Sequence, residues 1–63
     1  MTLGQKERFL KVYSNIPLGV RREIVMLLND GRPVSWDVAY IEVSSNTPLS
    51  RHILEELERL DII

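Results

Sequence analysis

Apolar side chains recur along the chain in blocks set apart by clusters of turn-forming residues, and the spacing inside each block predicts the elements. Leu3, Phe9, Leu10 and Tyr13 lie near one face, with Lys6, Glu7 and Lys11 turned outward. This predicts a first helix capped by Thr2 and ended by Ser14-Asn15. Ile16-Pro17 disfavours helix at Ile16, and Pro17 suits the first turn of a second helix running to about Leu28. Val20, Ile24, Leu27 and Leu28 give that helix a one-sided stripe, with Arg21, Arg22 and Glu23 off it. Asn29-Asp30-Gly31-Arg32-Pro33 is a dense turn signal at which the chain reverses, with Gly31 suited to positive φ as a helix C-cap.

Residues 34–43 admit two readings. As a helix, Ser35 caps it, Asp37 sits in its first turn, and Val34, Val38 and Ile41 stack on one side. As a strand, Val38 to Val43 is rich in β-formers and alternation puts Ala39, Ile41 and Val43 on one face. Helix is preferred because a lone strand has no obvious partner elsewhere in the chain. After a turn at Ser44-Ser45-Asn46, Thr47 as N-cap and Pro48 as first residue open the longest helix, to about Leu60. Its stripe is Leu49, Ile53, Leu57 and Leu60, widened by Leu54, and Arg51→Glu55 and Glu55→Arg59 are i, i+4 pairs. The expected fold class is therefore all-α: a small helical bundle with a helix-turn-helix or winged-helix-like core, forming a single domain over residues 1–63.

Composition narrows the function classes. A chain of 63 residues with 44% hydrophobic side chains can bury one small core, with a usual stability margin of roughly 3–5 kcal/mol. It has no cysteine, so disulfides and thiolate ligands are excluded. No leader-like segment opens it and no apolar stretch approaches the ~20 residues needed to cross a bilayer; the expectation is a soluble cytoplasmic protein. With one histidine, no phosphate loop and no carboxylate pair in an apolar pocket, no catalytic constellation stands out, and neither a cofactor nor a metal site is expected. His52 alone cannot hold a metal, and the serines all lie where caps and turns want hydroxyls. Trp36 is expected to pack rather than to anchor a partner.

The net charge of −1 hides a split at Pro33. Up to Arg32, six cations (Lys6, Arg8, Lys11, Arg21, Arg22, Arg32) face three anions, giving +3; beyond it, Arg51 and Arg59 face Asp37, Glu42, Glu55, Glu56, Glu58 and Asp61, giving −4.

The order of elements ends in a short helix, a short turn and a longer helix with Ser-Arg near its start, the layout of a helix-turn-helix. In that layout Ser50 and Arg51 point out while Leu49 and Ile53 point in. Residues 20–63 resemble the winged helix-turn-helix superfamily of MarR-like and ArsR-like regulators. The run from Ile53 to Ile63 is similar to the end of that group's recognition helix, with Asp61 where Gly is usual. Ser50-Arg51-His52-Ile53 is similar to its Ser-Arg-His-apolar run, and Val38-Ala39 to the apolar-Ala pair of the preceding helix. The two-stranded wing of the group would begin at Ile63, so a wing is expected to be absent from this chain. The resemblance implies a DNA-binding module, possible as a homodimer, with Asn46, Thr47, Ser50 and Arg51 contacting bases or phosphates. The charge split supports the alternative, a protein-interaction or assembly domain that binds a protein partner and not DNA.

Overall fold

In a computed structural model, residues 4–63 are described. They form α1 (Gln5–Ser14), β1 (Ile24–Leu27), β2 (Pro33–Ser35), α2 (Trp36–Ser44) and α3 (Pro48–Arg59). The fold is thus a mixed α/β domain of three helices and one antiparallel hairpin, and not the all-α bundle expected. The hairpin comes before α2 in the chain.

The first helix begins at Gly4, whose N–H donates to the Glu7 carboxylate; the expected Thr2 cap and Leu3 lie outside the described residues. At its other end Ser14 Oγ donates to the Lys11 carbonyl (2.9 Å).

The expected second helix does not form. Pro17 to Glu23 makes a run of tight turns, with Val20 N–H on the Pro17 carbonyl (2.9 Å) and Glu23 N–H on that of Val20 (2.9 Å). Arg21 fastens this run to α1: its Nε donates to the Ile16 carbonyl (3.0 Å) and its guanidinium lies 4.3 Å from the Tyr13 ring centroid. The chain then extends as β1. Gly19 and the β-branched Val20, Ile24 and Val25 all weaken a helix here, while the turn at 28–32 returns the chain onto β1. That turn is closed by Leu28 N–H on the Arg32 carbonyl (2.8 Å), with Gly31 at φ 86°. Gly31 therefore takes the positive φ as a hairpin residue and not as a helix C-cap. The ladder pairs Ile24 with Ser35, Met26 with Val34 and Leu27 with Pro33, with a bulge between Ile24 and Met26. Met26 and Val34 point inward, whereas Val20, Ile24 and Leu27 of the expected stripe are exposed.

The next segment is helical, but it buries the opposite face from the one expected. Ser35 Oγ accepts from Val38 N–H (3.2 Å), and Ala39 and Val43 face the core while Val38 and Ile41 face out. Trp36 is half-buried beside Phe9, with ring centroids 6.1 Å apart. The Tyr13 ring stacks on Tyr40 at 4.5 Å and its hydroxyl donates to Asp37 (2.8 Å), joining α1 to α2.

The last helix follows the turn at Asn46 (φ 53°) and Thr47. Ile53 and Leu57 are buried, while Leu60, expected in the stripe, is the exposed C-cap. The chain instead folds back through Asp61 (φ 60°), so that Ile62 N–H reaches the Leu57 carbonyl (2.9 Å) and Ile62 and Ile63 pack on the core. Asp61 N–H on the Glu58 carbonyl (3.0 Å) completes a Schellman closure. The core is Phe9, Met26, Val34, Ala39, Val43, Ile53 and Leu57, so every element contributes. No helix among the described residues is long and apolar enough to cross a membrane.

Candidate functional site

The turn between α2 and α3 and the first turn of α3 hold the four residues expected to reach DNA: Asn46 and Thr47 in the turn, Ser50 and Arg51 in the helix. Thr47 is the N-cap of α3: its Oγ1 accepts from Ser50 N–H (3.2 Å). Ser50 turns inward. It is 8% exposed and its Oγ donates to the Thr47 carbonyl at 2.6 Å. The reason lies in helical spacing: Ser50 stands three residues before Ile53 and seven before Leu57, on the buried row. It is not a surface contact residue, which corrects the outward orientation expected from sequence. Asn46 is exposed and its Oδ1 accepts from Lys6 Nζ (3.0 Å), an α1 contact with no local sequence signal. Of the four, Arg51 alone is exposed with no ion pair or side-chain hydrogen bond among the described residues.

The electrostatics of α3 follow from its partners. Arg8 Nη2 lies 3.1 Å from Glu58 Oε2, and Gln5 Nε2 also donates to that carboxylate, so the basic first half and acidic second half meet inside one chain. Hydrogen bonding by Gln5, with the Arg8 charge behind it, holds the Glu58 carboxyl below its ordinary range. Arg59 pairs with Glu56 and not with Glu55; the hydrogen bond lowers the Glu56 pKa and raises that of Arg59. Neither expected bridge, Arg51–Glu55 or Glu55–Arg59, is formed among the described residues; Arg59 reaches back three residues to Glu56 instead of four to Glu55. The outward row Arg51, Glu55, Glu58 thus presents one free cation and an exposed Glu55.

Two further surfaces depend on the tertiary fold. A groove of about 460 Å³ runs between the hairpin and α3. Met26, Leu27, Leu28 and Leu49 provide its apolar lining, and Asp30, Arg32, Glu55, Glu56 and Arg59 its charged walls. Four of those charges are paired, as Asp30–Arg32 (2.7 Å) and Glu56–Arg59, while Glu55 makes no ion pair among the described residues. His52 joins the groove wall, and no group of three metal-ligating side chains occurs among the described residues.

The other surface is the outward side of α2. Ala39 and Val43 are buried on one side, yet Val38 is 44% and Ile41 61% exposed on the other. Ile24, itself 54% exposed, lies across the ladder from Ser35, whose hydroxyl caps Val38. The sequence signal for this face was a helix apolar on both sides. Comparison of the chain with protein-family models, curated proteins and solved structures yields no match.

Proposed function

We propose that this chain is a protein-interaction or assembly module whose contact surface is the outward face of α2. The observation that carries the reading is the exposure of Val38 and Ile41 opposite the buried Ala39 and Val43. Apolar side chains on two opposite sides of a helix favour cover on both, so α2, though it also carries Asp37 and Glu42, has the character of a helix sandwiched between its own core and a partner. Nothing in this role calls for a catalytic group or a cofactor.

Arg51 and Lys6 flank the start of α3, and this pair favours a second reading, DNA binding through the α2–α3 turn. Its electrostatic support is thin. DNA affinity comes largely from Lys and Arg neutralising phosphates; here two cations flank the start of α3, and Glu55 stands exposed one turn after Arg51.

The two readings separate in one pair of measurements. A photo-crosslinking residue at position 41, expressed in the cells to which the protein is native, should form a discrete protein adduct, and the same residue at position 55 should not. Titration with mixed duplex DNA at about 50 mM salt should show no binding beyond the weak non-specific range of roughly 10⁻⁴ M. Tight DNA binding abolished by Arg51→Ala, with no adduct from position 41, overturns the interaction reading in favour of DNA.

A further inference from the structure

We infer that the groove between the hairpin and α3 binds an extended segment of a partner polypeptide, which adds to the free edge of β1 and sets a lysine or arginine side chain against Glu55. This surface is distinct from the outward face of α2, and neither reading depends on the other.

The sheet has two strands, so β1 is paired on one side only. Among the described residues, no backbone bond other than the ladder involves Ile24 to Leu27. The hairpin closure fixes which way the polar groups point. Leu28 N–H donates to the Arg32 carbonyl and the Leu28 carbonyl accepts from Gly31 N–H (both 2.8 Å), so Leu28 turns both groups toward the returning chain. Alternation along an antiparallel strand then turns the N–H and C=O of Leu27 away from β2. Pro33, which has no N–H to offer, stands opposite Leu27, as a pair without ladder bonds permits. Exposed edges are normally guarded by charge, by proline or by a covering element, whereas β1 reads Ile24-Val25-Met26-Leu27, with neither charge nor proline. Its one guard is the bulge between Ile24 and Met26, which leaves the end of the strand beside the groove regular.

The groove lies at that edge. Met26, Leu27 and Leu28 line it and no residue of β2 does, so the open side of β1 forms one wall and α3 the other. Charge selects the occupant. Asp30 and Glu56 are neutralised by Arg32 and Arg59, which leaves Glu55 as the one carboxylate of the walls with no ion pair among the described residues. The groove therefore complements a cation carried on an otherwise apolar body. An extended segment supplies both: its backbone continues the sheet, alternate apolar side chains meet Leu28 and Leu49, and a basic side chain reaches Glu55. A second copy of β1 brings no cation on its strand and sets its own Glu55 against the first. So short an edge offers few backbone bonds, and binding is accordingly weak, in the range of roughly 0.1–1 mM.

The test is a titration of the isotopically labelled chain with a capped peptide of alternating lysine and leucine or valine, up to about 5 mM, followed through the backbone amide signals. Saturable shifts are expected in residues 25–28 and along the groove side of α3, with the Leu27 amide protected from exchange. Two controls read the two parts of the proposal separately. The same peptide methylated on every backbone nitrogen keeps its side chains and loses its donors, and should bind at least tenfold more weakly. Glu55→Gln should weaken the unmethylated peptide about two- to fivefold at low salt and less at high salt, and a peptide with glutamate in place of lysine should not bind. Absence of shifts, equal binding of the methylated peptide, or equal binding of the glutamate peptide overturns the proposal. So does a peptide that moves the amides of Val38 to Ile41 instead, which places it on the α2 face. Edge amides that shift with protein concentration and no peptide assign the edge to a second copy and overturn it as well.

Discussion

Replacing Asp61 by glycine should stabilise this protein, and the size of the gain follows from how α3 ends. Asp61 stands at φ 60°, one residue beyond the C-cap Leu60, and lets Ile62 N–H close on the Leu57 carbonyl. That conformation costs an L-residue about 1–2 kcal/mol, less for Asp than for most, and costs glycine nothing. The aspartate charge also lies against the negative end of the helix dipole, worth about 0.3–1 kcal/mol when exposed. Against both stands the extra freedom glycine adds to the unfolded chain, about 0.4–1 kcal/mol. The net expectation for Asp61→Gly is a gain of about 1 kcal/mol, a rise in Tm of roughly 4–8 °C for a domain of this size. Thermal and urea unfolding of Asp61→Gly, Asp61→Asn and Asp61→Ala would separate the contributions. Asparagine removes the charge and tolerates the backbone, so it should recover a few tenths of a kcal/mol. Alanine removes the charge but keeps the backbone cost, so it should lie well below glycine. If alanine stabilises as much as glycine, the backbone reasoning is refuted; if glycine destabilises, the aspartate side chain has a role in the native state that its geometry does not reveal.

Two other expectations follow from named contacts. Thr47→Ala removes the hydroxyl that accepts from Ser50 N–H and should cost about 1 kcal/mol in urea unfolding, while Thr47→Ser should recover most of it. Asp30, Glu56 and Glu58 all have folded pKa values lowered by their partners, below ordinary values of 3.8 for Asp30 and 4.5 for the two glutamates. A carboxylate lowered on folding stabilises the native state above its unfolded pKa, and that contribution is lost as pH falls through the folded value. Urea midpoints should therefore be steady near neutrality and fall on acidification below those ordinary values, and Glu58→Gln should flatten the fall. A midpoint that rises with acid would contradict the Gln5, Arg8 and Arg59 pairings.

How much of the proposed contact surface could be read in advance is clearest at α2 and the turn after it. The helix itself is legible, since Ser35 and Asp37 mark its start, but Val38 and Ile41 fit the buried stripe as well as Ala39 and Val43 do. The choice goes to Ala39 because its small side chain suits the position at which α2 meets the core, where it is fully buried. At the next turn, the inward Ser50 is implied by its spacing from Ile53 and Leu57, a signal that the helix-turn-helix layout overrode. The hold of Lys6 on Asn46 and of Arg8 on Glu58 joins residues 40 and 50 positions apart, and no local pattern reports such contacts.

By itself the sequence determined what depends on neighbours along the chain. Ser35 and Thr47 cap α2 and α3, Pro48 opens α3, and the turn formers at 29–33 reverse the chain, because capping and turn geometry are satisfied within a few residues. The tertiary structure decided whatever needed a distant partner. Residues 24–27 carry a spacing compatible with helix, yet they become a strand because Pro33–Ser35 returns to pair with them and because Met26 then fills the core beside Val34. A strand is stabilised by a ladder and a cross-strand neighbour, neither of which exists until the chain has folded back. For the same reason only the folded chain settles which face of α2 is covered and which is left exposed.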